Sequence, residues 1–448
     1  MNEHSPVQET PVARALRPVR DFAHFEASSG LVLLACAVVA MVAANSPLAS
    51  SFATIWDTKL SVGLGAMEVS KAVRFWINDG LMAIFFFVVG LEIKREVLVG
   101  DLSSPRRAIL PLIAAFGGMV VPAAVYLSFN PAGAGAAGWG IPVATDIAFA
   151  LGVLALFGQR IPNTLKVFLT ALAIFDDIGA VLVIALFYTD HLTAYALVAS
   201  GIILGLTLLA NWLGIRSMLL FGVLGVFLWI AMLNSGFHAS VAGILLALAM
   251  PARAHADSEK FIQHARSLID EFEETTSPSE KALGNNRQHS LLASIRVAAE
   301  RAGTPLQRLE ITLGPWVAFF VLPIFALANA GVGLSTATGD ALTHTVMLGT
   351  VTGLVIGKPV GIIAFAWLAV RSGLADLPEG VSWREICAIG SLAGIGFTLA
   401  LFIGGLAFPD GELLRVAKIG ILGGSLLAGI IGSMLLWSAL RSREEALS

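Results

Sequence analysis

Over 448 residues, 56% are hydrophobic and only 13% are charged, with a mean hydropathy of +0.82, whereas about a quarter of the residues in a soluble domain are charged. That balance excludes a chain solvated wholly by water, and a net charge of -3 offers no signature of a nucleic-acid partner. Cys36 and Cys387 stand far apart in apolar runs, which argues against a disulfide framework or a zinc site and for inert buried thiols.

In chain order, residues 1–27 contain Arg14, Arg17 and Arg20 but neither the apolar core nor the cleavage site of a removable signal, so they read as a cytoplasmic tail. Twelve stretches then approach the roughly 20 mostly apolar residues that a bilayer core requires of a helix. They lie near 28–47, 76–98, 107–128, 138–157, 164–188, 192–213, 216–234, 237–251, 312–332, 344–370, 385–408 and 416–439. The fold class is therefore an all-α polytopic membrane protein with a transmembrane domain over 28–440 and a short tail over 441–448.

Two segments fall outside the bilayer. Residues 48–74 alternate polar and apolar side chains around Gly63 and Gly65, the pattern of a small hairpin and a candidate surface for a homodimer. Residues 252–303 form a charged insert in which Phe261, Ala265, Leu268, Ile269 and Phe272 share one helical face, so a short amphipathic helix is predicted there. Most Lys and Arg fall in segments on one side of the twelve spans, while Lys59, Lys71, Arg74, Arg415 and Lys418 fall on the other. Basic residues favour the cytoplasmic side, so both termini and the insert are expected inside and the hairpin outside.

Four ionisable residues lie where none should. Asp146 is near the middle of the fourth span, Asp176 and Asp177 of the fifth, and Lys358 of the tenth. Each costs about 2.5 to 3.5 kcal/mol at the bilayer centre. A structural ion pair accounts for one aspartate with Lys358 but leaves two carboxylates without a counter-charge. Crowded carboxylates in a low-dielectric cavity must hold protons, cations, or each in turn. Hard oxygen ligands suit sodium or lithium. Backbone oxygens are expected to complete the site, because the fourth span is interrupted at Ile141-Pro142 and at Ala144-Thr145-Asp146 and the eleventh at Gly394-Ile395-Gly396. Unwound backbone is tolerated inside a membrane only where it lines a cavity.

An intramembrane aspartyl protease fits poorly, because adjacent aspartates project about 100° apart on a helix and do not face each other. A sodium-coupled symporter of a small organic solute remains as the alternative; it needs a polar solute pocket, and Thr145, Thr398 and Lys358 are nearly all that these spans offer besides carboxylates. No enzymatic centre, nucleotide site or cofactor is called for.

Five motifs together resemble the NhaA-type sodium/proton antiporter family: Gly90-Leu-Glu-Ile-Lys-Arg-Glu96, Val143-Ala-Thr-Asp-Ile-Ala-Phe149, Ala173-Ile-Phe-Asp-Asp-Ile-Gly179, Leu327-Ala-Asn-Ala-Gly-Val332 and Gly357-Lys-Pro-Val-Gly361. The resemblance covers roughly residues 20 to 440. It implies inverted repeats, two interrupted helices crossing at the bilayer midplane, and electrogenic exchange of internal sodium and lithium for external protons at a bacterial inner membrane. It implies that Asp176 and Asp177 bind cation and protons, that Thr145 and Asp146 sit beside the crossing, and that Lys358 pairs with Asp176 or balances the half-helix ends. Glu92, Glu96, His238 and Glu310 become candidates for pH sensing. Gln307, Ile311 and Gly314 depart from the family pattern, which has Lys or His at those places.

Overall fold

The computed structural model describes residues 28–447 except 65–66, 190–191, 253–257, 276–286, 288–289, 297–303, 334–342 and 410. The tail expected over 1–27, Gly65 in the hairpin and much of the 252–303 insert lie outside the described residues. Helix dominates what is described, and each of the twelve apolar stretches carries helix. By length and composition, seven described helices can cross a membrane, or nine if each of two bent pairs is one span. The other stretches fall short for physical reasons. Met82–Val99 carries Glu92, Lys94, Arg95 and Glu96 in its second half, Met218–Leu233 has 16 residues and Val241–Ala249 only 9.

Outward faces are strongly apolar: Leu186 is 71% exposed, Leu219 79% and Trp212 81%. Side chains of that size left open on so many helices match a hydrocarbon solvent.

Residues 48–74 are only partly the hairpin that the sequence suggests. Ala49–Asp57 is a helix, bent 115° from Ser28–Ala44, and the antiparallel pair follows as Lys59–Leu64 and Met67–Ala72, with Lys59 opposite Ala72 and Leu64 opposite Met67. Leu48, Phe52 and Ile55 recur at helical spacing, and that period wins over the alternating pattern. At the other end of the chain, Glu412–Leu447 is one helix, so most of the expected tail at 441–448 extends the last span.

Packing divides the chain into two units. One comprises Met1–Met82, Val99–Asp190 and Val317–Ser448; the other comprises Ala83–Leu98 and His191–Trp316. In the first, Pro105–Phe129 packs on Lys358–Arg371 and on Asn163–Phe187. A Cβ at Gly117 would strike the Gly361 carbonyl oxygen, and one at Gly361 the Gly117 carbonyl. Two glycines facing each other thus let the two backbones touch, as small residues do at membrane helix crossings.

Among the described residues three turns of π-helix interrupt the ladder, at Trp76–Leu81, Val317–Val321 and Gly353–Gly357. The last two stand immediately ahead of Pro323 and Pro359. Each proline lacks the N–H that the carbonyl four residues earlier would accept from, so the local turn widens.

The fourth span departs from expectation. Ala134–Val143 is a 3-10 helix that runs through Pro142 without a break, and the interruption is confined to Ala144-Thr145-Asp146 before Ile147–Ala155. Two tyrosines from neighbouring helices hold the 3-10 half. Tyr126 donates to Gly135 O at 2.8 Å and Tyr188 to Ala137 O at 2.6 Å. The eleventh span breaks where expected, between Trp383–Leu392 and Phe397–Ala407, with a 46° bend.

The second unit closes around Leu91, Ala210, Phe221, Ala247, Met250 and Leu306. Its insert contains the predicted helix, Ser258–Thr275. Leu268 and Phe272 pack there with Leu291 and Ile295, while Ile269 is 48% exposed, so the apolar face is narrower than the sequence suggests. The Phe261 side chain lies outside the described residues.

Candidate ion-binding site

Asp176 and Asp177 lie midway along Asn163–Phe187 and are 0% and 2% exposed. Asp176 Oδ2 accepts from Thr145 Oγ1 at 2.6 Å and from Lys358 Nζ at 2.9 Å. Its other oxygen, Oδ1, is buried with no hydrogen bond. Asp177 lies within the field of the same ammonium. Lys358 opens the helix Lys358–Arg371, after the π-turn and beside the Gly117–Gly361 crossing, and that close approach delivers its side chain to the aspartate helix. Nζ also donates to Val143 O, the last carbonyl of the 3-10 half. Lys358 thus touches both Asp176 and the end of the 3-10 half.

The two broken spans meet at their interruptions. Asp146 N donates to Ile395 O at 2.7 Å. The Asp146 carboxylate caps its own half-helix by accepting from Phe149 N at 3.0 Å, and it accepts from Thr398 N at 3.0 Å and Thr398 Oγ1 at 2.6 Å at the start of Phe397–Ala407. One negative charge thus faces two helix N-termini, and one positive charge, Lys358, faces a C-terminus. Each has the sign that the helix dipole favours there. Thr145 Oγ1 also lies 2.9 Å from Ala393 O, the carbonyl just past Trp383–Leu392. Gly396 permits the approach, since a Cβ there would lie 3.0 Å from Ala144 O.

The hydrogen bonds of the Asp146 carboxylate are thus made within the two breaks. Among the described residues no three His, Cys, Asp or Glu side chains are grouped as ligands of one metal ion, so a cation here requires hydroxyl, carbonyl or water oxygens beside the two carboxylates.

Residues 20–436 match the family model described as Na+/H+ antiporter 1. The chain belongs to this family. A protein of Oleidesulfovibrio alaskensis named Na(+)/H(+) antiporter NhaA is 49% identical, over 97% of this chain and 96% of its own. One of the same name from Koribacter versatilis is 48% identical, over 98% and 95%. The Na(+)/H(+) antiporter NhaA 2 of Sorangium cellulosum is 46% identical, over 96% and 91%. The family is all-helical and polytopic, and the membrane-spanning helices described above agree with it.

The residues suggested for pH sensing all lie in the second unit, where three of them gather. Arg95 pairs with Glu96 at 2.8 Å and with Glu310 at 2.9 Å, and Glu92 lies within the field of all three. His238 Nδ1 is 2.6 Å from Ser240 Oγ, in the turn before Val241–Ala249. Sequence reasoning missed Lys94, whose ammonium donates to Leu248 O and Met250 O and so closes the C-terminal end of that 9-residue helix. It also assigned no role to Thr398, Tyr126 or Tyr188. A polar side chain inside an apolar run was the available signal for each.

Proposed function

We propose that the protein is a secondary active transporter that moves sodium, and lithium as an alternative cargo, out of the cell in exchange for protons. Asp176 and Asp177 form the shared binding site, and Thr145, Asp146 and Lys358 support it. The observation that carries this reading is the burial of two adjacent carboxylates beside a single buried ammonium. With all three ionised, the group has one excess negative charge, which one sodium ion neutralises, while its two carboxylates can together take up two protons.

Cation and proton then compete. When Asp176 is protonated it can donate to Thr145 Oγ1, and the threonine hydroxyl, which has one proton to give, can turn to Ala393 O. When Asp176 is ionised, Thr145 donates to it instead. The protonation state at the site thereby reaches the break in the eleventh span, which supports alternating access by movement of the broken helices. Exchange of more protons in than sodium out is driven by the membrane potential, worth about 2.3 kcal/mol per charge per 100 mV.

The arrangement of Lys and Arg supports an inner-membrane orientation with both termini and the insert in the cytoplasm. Glu92, Glu96, His238 and Glu310 are proposed as a pH-responsive group on that side. The two-stranded hairpin has a free edge on each strand among the described residues, which suits pairing with a second copy. The symporter alternative is not supported by the family match. Sodium-dependent collapse of an imposed pH gradient in proteoliposomes tests the reading: the gradient should collapse with sodium and lithium, and solute uptake without proton movement would refute it.

A further inference from the structure

The break in the eleventh span leaves a half-helix without a cap of its own. The first N–H groups of a helix have no partner within it, and a Ser, Thr, Asp or Asn just ahead of the first turn ordinarily accepts from them. Ahead of Phe397–Ala407 that place is taken by Gly396, which has no side chain to offer. The crossing dictates the glycine, since a Cβ there would lie 3.0 Å from Ala144 O. Phe397 and Thr398 are both buried, so their N–H groups must find acceptors on other elements. Thr398 N donates to Asp146 Oδ2 at 3.0 Å. Phe397 N donates to Ser425 Oγ at 3.1 Å, and Ser425, itself buried, belongs to the last helix, Glu412–Leu447.

The last helix approaches closely enough to hold that serine in place. A Cβ on Gly424 would lie 3.1 Å from Leu354 Cδ1, in the π-turn that precedes Lys358. One on Gly429 would lie 3.5 Å from Ile395 Cδ1, and one on Gly432 2.9 Å from Leu392 N. The helix therefore rests on the π-turn ahead of Lys358 and on the break itself, with Ser425 between those contacts in the sequence. Phe397 is also held through its ring, which meets Phe149 edge-on with centroids 5.8 Å apart. Phe149 N is in turn a donor to Asp146 Oδ1.

We infer that Ser425 is a positioning residue of the ion site. It takes the first donor of the half-helix while Asp146 takes the second, and the two acceptors together fix Thr398 and the adjoining break, where Thr145 meets Ala393 O. The inference rests on the transport reading above. Ser425→Ala removes the acceptor with little change in volume, and Ser425→Thr keeps the hydroxyl. Sodium-dependent collapse of an imposed pH gradient, with the full-length protein in proteoliposomes, gives an apparent sodium KM. That KM should rise about fivefold in Ser425→Ala, the scale of one lost hydrogen bond, and return towards the wild type in Ser425→Thr. Amide hydrogen exchange over 397–400, followed by mass spectrometry, should be faster in Ser425→Ala. Ser433→Ala is the control, because Ser433 donates to Gly429 O of its own helix at 2.7 Å, and it should change neither readout.

A wild-type KM in Ser425→Ala overturns the proposal, even if the variant is less stable, because a merely structural contact lowers the amount of folded protein and leaves the KM of each folded molecule alone. An equal rise in Ser433→Ala overturns it as well, by assigning the effect to the last helix at large, and a KM in Ser425→Thr as high as in Ser425→Ala removes the role of the hydroxyl. If Ser425→Ala does not accumulate, Ser425→Cys takes its place, since sulfur is only a weak acceptor; its KM should rise, and a wild-type value refutes the proposal. Absence of sodium-dependent collapse in the wild type sinks the transport reading instead. The exchange measurement then decides the cap by itself, and unchanged protection over 397–400 in Ser425→Ala refutes it.

Discussion

Lys358 Nζ stands 2.9 Å from Asp176 Oδ2, and neither side chain is exposed at all. An ion pair so far from water is stable only if its remaining donors and acceptors are satisfied. The lysine meets that condition through Val143 O and the aspartate in part through Thr145. Asp177, next in the chain, adds the charge that the pair does not cancel.

Asp177→Asn removes that charge while keeping the shape of the side chain. Sodium-driven proton flux in proteoliposomes should fall to background, because a hard cation bound in a low-dielectric site needs a formal negative charge. Stability should change by less than about 1 kcal/mol or rise, since a buried charge is removed. Flux at the wild-type level would contradict the assignment.

Lys358→Ala should act first on stability. It leaves Asp176 buried without its cation and Val143 O without a donor, a loss on the order of 3 to 5 kcal/mol. Adding Asp176→Asn should restore part of it. A thermal-unfolding double-mutant cycle measures the coupling, and simple additivity would mean that the pair does not interact. An ammonium repels sodium and only donates hydrogen bonds, so ion preference should change less than stability or the pH profile.

Gly361→Ala places a methyl group against the Gly117 carbonyl. The two helices must separate, at a cost of about 1 to 3 kcal/mol, and Lys358 moves with one of them. Both the unfolding midpoint and the transport rate should fall. A variant with wild-type values for both would show that the crossing does not position the lysine.

Acid should inhibit in two ways. Protonation removes the negative charge that sodium needs, so the apparent sodium affinity falls as pH falls, and saturating sodium should recover the rate lost by competition. A residual pH dependence at saturating sodium belongs to the group around Arg95, and Glu310→Gln, which breaks the 2.9 Å pair, should move it. Because Arg95 and Glu310 are partly exposed at 33% and 22%, the pair is worth about 1 kcal/mol or less to stability, and the variant should fold normally. If saturating sodium restores the full rate at acid pH and Glu310→Gln leaves the profile unchanged, competition alone accounts for the pH response.

The sequence by itself determined where the apolar spans lie and which ionisable residues inside them are anomalous. Both are one-dimensional properties: transfer into hydrocarbon is summed along a short run, and Asp146, Asp176, Asp177 and Lys358 stand out against that sum wherever the helices pack. The break at Gly394-Ile395-Gly396 was legible for the same reason, from local glycine content. Residues 48–74 were misread in part because two periods overlap there.

Only the tertiary structure decided which aspartate takes which partner. Lys358 could have faced Asp146, Asp176 or Asp177, and the choice follows from the rotation of its helix, fixed by the contact of Gly117 with Gly361. Asp146 stood out in the sequence only as an anomalous charge, and its partner Thr398 lies 252 positions away. Lys418, counted in the sequence among the cations of the outer side, is buried. Hydrogen bonds and ion pairs form between groups within about 3 Å, and which distant groups come that close is a property of packing that no local sequence window contains.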